Sequence, residues 1–209
     1  MLELLQTDPL AWAAVFFAVV ASIVLHELGH ALAATWEGDD TPRLRGHLTW
    51  NPVVHMGWMS IGLAAFFGIA WGLTPVNPHR FRHRRWGDVI VAAAGPAVNL
   101  GLAIMATALL QLSILSNAPE KIANFWWIVA LLNVALFLLN MIPVPPLDGF
   151  TVLDGSLNMG ELGRWLRTLG SWPMLFVLVL LSRGGFFTVV ADGTNLLRLV
   201  WSFVLPGGA

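Results

Sequence analysis

The chain has 209 residues, 57% of them hydrophobic and 11% charged, with a formal net charge of −1 and a mean hydropathy of +0.73. A soluble domain carries about 25% charged residues, so the composition excludes a soluble fold and describes an integral membrane protein, read as one polytopic all-α domain over residues 1–209. The absence of cysteine excludes disulfide scaffolds, thiolate metal sites and cysteine nucleophiles together, so a metal must be held by His, Asp or Glu.

Met1 to Pro9 carries Glu3 and Asp8, no basic residue and no small-residue cleavage pattern, which argues against a removed signal peptide. Leu10 to Thr35 is apolar except at Ser22, His26, Glu27, His30 and Thr35, and is long enough to cross a hydrocarbon core of about 30 Å as the first transmembrane helix. At 1.5 Å per residue His26 falls roughly 24 Å beyond Leu10, within the membrane but towards the far end of the helix. Trp36 to Met56 alternates loosely between polar and apolar residues and predicts a short extended or hairpin segment. Gly57 to Leu73 is apolar but short, and either spans or dips in and returns. Thr74 to Asp88 is a basic loop containing Arg80, Arg82, Arg84 and Arg85, read as a membrane flank rather than a nucleic-acid site.

Val89 to Leu115 predicts a transmembrane helix carrying Gly95-Pro96-Ala97-Val98-Asn99. Ser116 to Lys121 is a turn, and Phe125 to Ile142 is the next span, running into Asn140-Met141-Ile142-Pro143-Val144-Pro145-Pro146-Leu147-Asp148-Gly149. Phe150 to Gly170 predicts a surface helix. Trp172 to Ser182 and Phe186 to Leu205 predict a C-terminal helical hairpin.

His26 and His30, four residues apart, share one helix face, so both imidazoles can reach one ion. Glu27 beside them can reach a water on that ion, whose pKa zinc lowers from about 15.7 to about 7. This is the general-base arrangement of a metalloprotease, and ionisable side chains within a membrane helix are by default functional. A catalytic zinc keeps three protein ligands and one open position. The acids elsewhere are Asp88, Glu120, Asp148, Asp154, Glu161 and Asp192. Asp148 has the better context, because Pro143, Pro145 and Pro146 stop the helix at membrane depth, where broken backbone is tolerated if it lines a site. Asp154, in a second Leu-Asp-Gly triplet, reads as a surface cap or turn residue. His47, His79 and His83 lie in loops, where solvated histidine is the ordinary case. No serine elbow and no pair of deep aspartates supports another hydrolytic mechanism.

His26-Glu27-Leu28-Gly29-His30, paired with Asn140-x-x-Pro143-x-Pro145-x-Leu147-Asp148-Gly149, resembles the site-2 protease family of intramembrane zinc metalloproteases. Gly95-Pro96-x-x-Asn99 and Leu48-Thr49-x-Asn51-Pro52-x-x-His55 resemble its compact bacterial branch without PDZ or CBS domains. The resemblance implies one catalytic Zn2+ held by His26, His30 and Asp148, with Glu27 as general base. It implies hydrolysis of peptide bonds in or near the transmembrane segments of single-span or signal-peptide-like substrates. Asn140, Asn99 and His55 are candidate substrate or supporting contacts. Gly149-Phe150-Thr151 departs from the commoner Gly-Gly-Arg, and Met56-Gly57 from Asp-Pro. A non-catalytic membrane-helix-binding pseudoprotease, or a metal carrier of the same fold, is the alternative.

For the ligands to meet at one depth, the first helix and the Phe125 helix must cross in the same direction, so Gly57 to Leu73 is read as re-entrant. Arg43, Arg45, Arg80, Arg82, Arg84, Arg85, Arg164 and Arg167 then share one side, opposite Glu120 and Lys121. The positive-inside rule makes that side cytoplasmic, which places the site near the cytoplasmic face of a bacterial inner or plasma membrane. Substrate is expected to add as a strand along His47 to Pro52 and the re-entrant stretch.

Overall fold

Apolar runs with few internal breakers form long helices. The computed structural model describes residues 1–172 and 186–204. Its helices are α1 (Leu2–Thr7), α2 (Pro9–Trp36), α3 (Thr41–Leu44), α4 (Pro52–Phe67), α5 (Arg84–Leu115), α6 (Glu120–Asn140), α7 (Asp148–Leu157), α8 (Glu161–Thr168) and α9 (Phe186–Val204), and there is no strand among the described residues. Asp8 opens α2 by accepting from the Ala11 N–H at 3.0 Å, with Pro9 in the first turn. Three helices, α2, α5 and α6, are long and apolar enough to cross a membrane. α5 packs along α6 and α2, and α7 lies against α5. α9 closes the bundle through Val190, which packs with Ala103 of α5 and Val134 of α6. The first arm of the expected C-terminal hairpin, Trp172 to Ser182, lies almost wholly outside the described residues.

Trp36 to Met56 forms no hairpin. Instead α3 starts at Thr41-Pro42, residues 45–51 bend, and α4 starts at Pro52, where the Asn51 side chain accepts from the Val53 N–H at 3.0 Å. The two proline-containing helix starts outweigh the loose alternation, because a proline in the first turn of a helix forfeits no hydrogen bond and pre-sets φ.

The segment from Pro52 onward is re-entrant. α4 runs back along α2 until the Trp12 indole N–H donates to Ala65 O at 3.0 Å. Trp12 lies about 21 Å along α2 from His26 at 1.5 Å per residue. Gly68 then ends α4 at φ 74°, a left-handed conformation that a Cβ would penalise. The chain returns extended. Trp71 exchanges two hydrogen bonds with Ser60 Oγ, at 2.7 and 2.9 Å, and the Leu73 N–H donates to His55 O at 2.9 Å. Thr74 reaches Glu27, so both ends of the segment stand at the same end of α2.

That end is tied by two buried acids just past α2. Asp39 accepts from the Thr41 and Asn77 N–H groups at 3.0 and 2.6 Å. Glu37, 1% exposed, accepts from the His83 N–H at 3.0 Å and from its ring Nδ1 at 3.2 Å. Burial alone would raise the Glu37 carboxyl, but these two bonds, with the charges of His83 and Arg82, hold it below its ordinary value. A carboxylate depressed by folding stabilises the native state above its unfolded pKa, and that contribution is lost as pH falls through the folded value. Glu37→Gln should therefore cost about 1–3 kcal/mol at neutral pH. In thermal unfolding of the detergent-solubilised protein, the gap from wild type should close as the pH falls below the ordinary carboxylate range; a gap independent of pH would refute the assignment.

Candidate metal centre

His26 and His30 share one face of α2, and the turn after α6 delivers Asp148 to them as the first residue of α7. His26 Nε2 lies 3.0 Å from His30 Nε2, and Asp148 Oδ2 lies 3.2 and 3.4 Å from the two. Among the described residues this is the one group of three such side chains whose ligand atoms lie close enough to share an ion. Both histidines are buried, at 7% and 8% exposure.

The protons on the two rings follow from their other nitrogens. His30 Nδ1 lies 2.7 Å from Val91 O, which can only accept, so a neutral His30 carries its proton on Nδ1 and turns the Nε2 lone pair inward. Val91 belongs to the turn of α5 where Pro96 supplies no N–H to Ala92 O, leaving the helix locally less bonded. His26 Nδ1 lies 2.6 Å from Asn99 Oδ1. That amide is oriented by a chain of bonds: Asn99 Nδ2 donates to Asn133 Oδ1 at 3.0 Å, and Asn133 Nδ2 donates to Val129 O at 2.9 Å and Ser22 Oγ at 3.0 Å. Val129 O accepts only, so the order of donors is set from that end and His26 too carries its proton on Nδ1. With neutral rings, two lone pairs and a carboxylate oxygen face one another with no donor among them.

Gly95 of α5 completes the floor. A Cβ there would lie 2.6 Å from His26 Nε2 and 2.6 Å from His30 Cε1, so a side chain would push both imidazoles off the site. Glu27 is 6% exposed and is contacted from the returning limb of the re-entrant segment, where Thr74 Oγ1 lies 2.7 Å from its Oε2.

The other sequence candidates divide. Asn99 is fully buried against His26 and supports the imidazole from behind. Asn140 stands at the end of α6 with its amide donating to Leu136 O at 3.0 Å, outside the triad. His55, 2% exposed, faces Thr49 O at 2.8 Å and packs edge-on against His47 at 5.4 Å between ring centroids. It anchors the re-entrant segment. Burial, then the neighbouring His55, hold the His47 imidazole below its ordinary value. Asp154 lies within α7 and pairs with Arg167 at 2.9 Å, so it is an ion-pair residue rather than a cap or turn. Ser22 and Gly95, noted in the sequence, and Asn133 and Thr74 were given no site role there; a polar residue inside an apolar span, as at Asn133, was the available signal.

Asn99→Ala should break the chain twice, freeing His26 Nδ1 and orphaning Asn133 Oδ1. Loss of such an outer partner costs about 10–100-fold in metal affinity or activity, to be read by metal titration of the purified variant; unchanged affinity would show the relay to be packing alone.

The sequence profile of peptidase family M50 matches residues 14–123 and 113–180. The chain belongs to this family, the site-2 protease family. "Putative zinc metalloprotease YwhC" of Bacillus subtilis is 31% identical over 178 residues, covering 82% of this chain and 81% of that protein. "Putative zinc metalloprotease Rip2" of Mycolicibacterium smegmatis is 37% identical over 187 residues, covering 83% and 70%. The protein of the same name from Mycobacterium tuberculosis is 34% identical over 217 residues, covering 96% and 78%. No solved structure matches the chain. Membership of the M50 family agrees with three apolar helices of spanning length and marks the chain as an integral membrane protein of a zinc-metalloprotease family.

Proposed function

We propose that this M50 protein is an intramembrane zinc endopeptidase that hydrolyses peptide bonds in or near the membrane-spanning segments of other proteins. The observation that carries the reading is the ring of three acceptor atoms, two imidazole nitrogens and one carboxylate oxygen, with edges of 3.0, 3.2 and 3.4 Å. With both rings neutral, three acceptors so close repel unless a cation lies among them. Tetrahedral ligands at zinc bond lengths stand roughly 3.3–3.5 Å apart, which the observed edges approach, and an N/N/O donor set suits zinc rather than calcium or magnesium. His26, His30 and Asp148 would hold the ion and leave a fourth position open.

When bound, zinc supplies Lewis acidity that lowers the pKa of water and polarises the scissile carbonyl. The chain's own residues do the rest. Glu27 takes the proton from the attacking water and returns it to the departing amide nitrogen, so that water adds across the C–N bond. Asn99 and Val91 O keep the two imidazoles in the tautomer that points Nε2 at the ion. Asn140, at the end of α6, is the proposed substrate contact.

The arginines at positions 43, 45, 80, 82, 84, 85, 164 and 167 sit on segments at the end of the bundle that carries the triad, while Lys121 lies in the first turn of α6 at the other end. With the positive-inside rule, this supports a site near the cytoplasmic face of a bacterial plasma membrane. A helical substrate must unwind locally to expose a peptide bond, which favours single-span segments with weak helix propensity. A metal carrier or pseudoprotease would have no use for a buried glutamate held beside the ligands.

The test is cleavage of a single-span substrate in proteoliposomes containing the purified protein. Chelation should abolish cleavage and added zinc should restore it. Zinc-loaded protein that leaves a panel of such substrates intact would move the reading to the carrier.

A further inference from the structure

The partners of the Glu27 carboxylate come from a different element, the returning limb of the re-entrant segment. Thr74 Oγ1 lies 2.7 Å from Glu27 Oε2 and 3.1 Å from Glu27 O. A hydroxyl has one proton to give, and the shorter contact to an ionised carboxylate takes it. On the same face of the extended limb, two residues earlier, stands Gly72. A Cβ there would lie 2.5 Å from Glu27 Cγ and 2.7 Å from Cδ, and would also meet Oε1, so a side chain at this position would displace the carboxylate. Alternate residues of an extended chain face opposite ways. Trp71 and Leu73 accordingly point outward, at 41% and 72% exposure, while positions 72 and 74 meet Glu27. The limb is not free to drift, because Trp71 is bonded to Ser60 and the Leu73 N–H to His55 O on α4.

We propose that Thr74 is a positioning residue for Glu27, with Gly72 providing the clearance it requires. The Thr74 hydroxyl holds Oε2, and the missing side chain at Gly72 leaves the room in which the rest of the carboxylate lies. The general base is therefore aimed by the re-entrant segment rather than by the helix that carries it. The inference rests on the peptidase reading of Glu27.

The experiment compares Thr74→Val and Thr74→Ser in the full-length protein, with Glu27→Gln as reference. Thr74→Val keeps the shape and removes the donor. It should lower kcat about 10–100-fold, the scale of a misplaced catalytic group, while KM and bound zinc stay at wild-type values. Thr74→Ser should restore most of the rate. Added to Glu27→Gln, Thr74→Val should cost nothing further, since both act through one group. In infrared difference spectra of metal-free protein, the carboxylate band that Glu27→Gln removes should shift in Thr74→Val and not in Thr74→Ser. Wild-type kcat and an unshifted band in Thr74→Val would overturn the proposal and leave the peptidase reading standing. Should the zinc-loaded wild type cut nothing, the peptidase reading and the catalytic role of Thr74 would both fall, whether or not the band shifts.

Discussion

Glu27→Gln is expected to lower the cleavage rate by about 10²–10⁴-fold, the contribution of a positioned general base, with zinc content unchanged. The amide keeps the size of the carboxylate, and its oxygen can still accept from Thr74, so the re-entrant segment should stay in place. What is lost is the ability to take a proton from water. Because Glu27 lies outside the ligand triad, KM for a single-span substrate should move little and the loss should fall on kcat. The measurement is initial rate against substrate in proteoliposomes, alongside zinc analysis of the same preparation. A variant that binds zinc and cuts at the wild-type rate would remove Glu27 from the mechanism.

Asp148→Asn should act on the other half of the site. The substitution preserves shape but replaces the one anionic ligand with a neutral amide, whose NH2 can donate to an imidazole Nε2 and so satisfy the cluster without any metal. Zinc affinity should fall by more than the roughly 10–100-fold that follows loss of an outer-shell partner, and activity should fall with occupancy. Thermal unfolding supplies a readout independent of turnover. Ligand that binds the native state stabilises it by mass action, so added zinc should raise the Tm of the wild type and of Glu27→Gln, but not that of Asp148→Asn. Equal zinc-dependent shifts in all three would place the metal elsewhere. The pair of variants separates holding the ion from using it.

Much of the architecture is written in local patterns. The composition requires a membrane, three apolar runs mark α2, α5 and α6, and the spacing of His26 and His30 puts two imidazoles on one face because a helix repeats every 3.6 residues. The prolines after α6 favour Asp148 over Asp154, and α7 opens at Asp148 while Asp154 pairs with Arg167. The demand that two helices end at one depth requires Gly57 to Leu73 to turn back, and the limb does return to Glu27. Of the extended or hairpin segment expected over Trp36 to Met56, no hairpin forms, because loose alternation is a weak signal beside two helix starts that carry a proline in the first turn.

By itself, then, the amino-acid sequence determined the spans, the common direction of the first and the third, and three residues able to hold a metal, since each depends on periodicity, length or local breakers. The tertiary structure alone decided how those residues are aimed. Asn99 and Asn133 orient His26 across 73 and 34 positions of chain, Gly95 clears the floor from another helix, and Thr74 reaches Glu27 from 47 residues away. No local pattern encodes such contacts, because hydrogen-bond direction and steric clearance between helices exist only once the helices have packed.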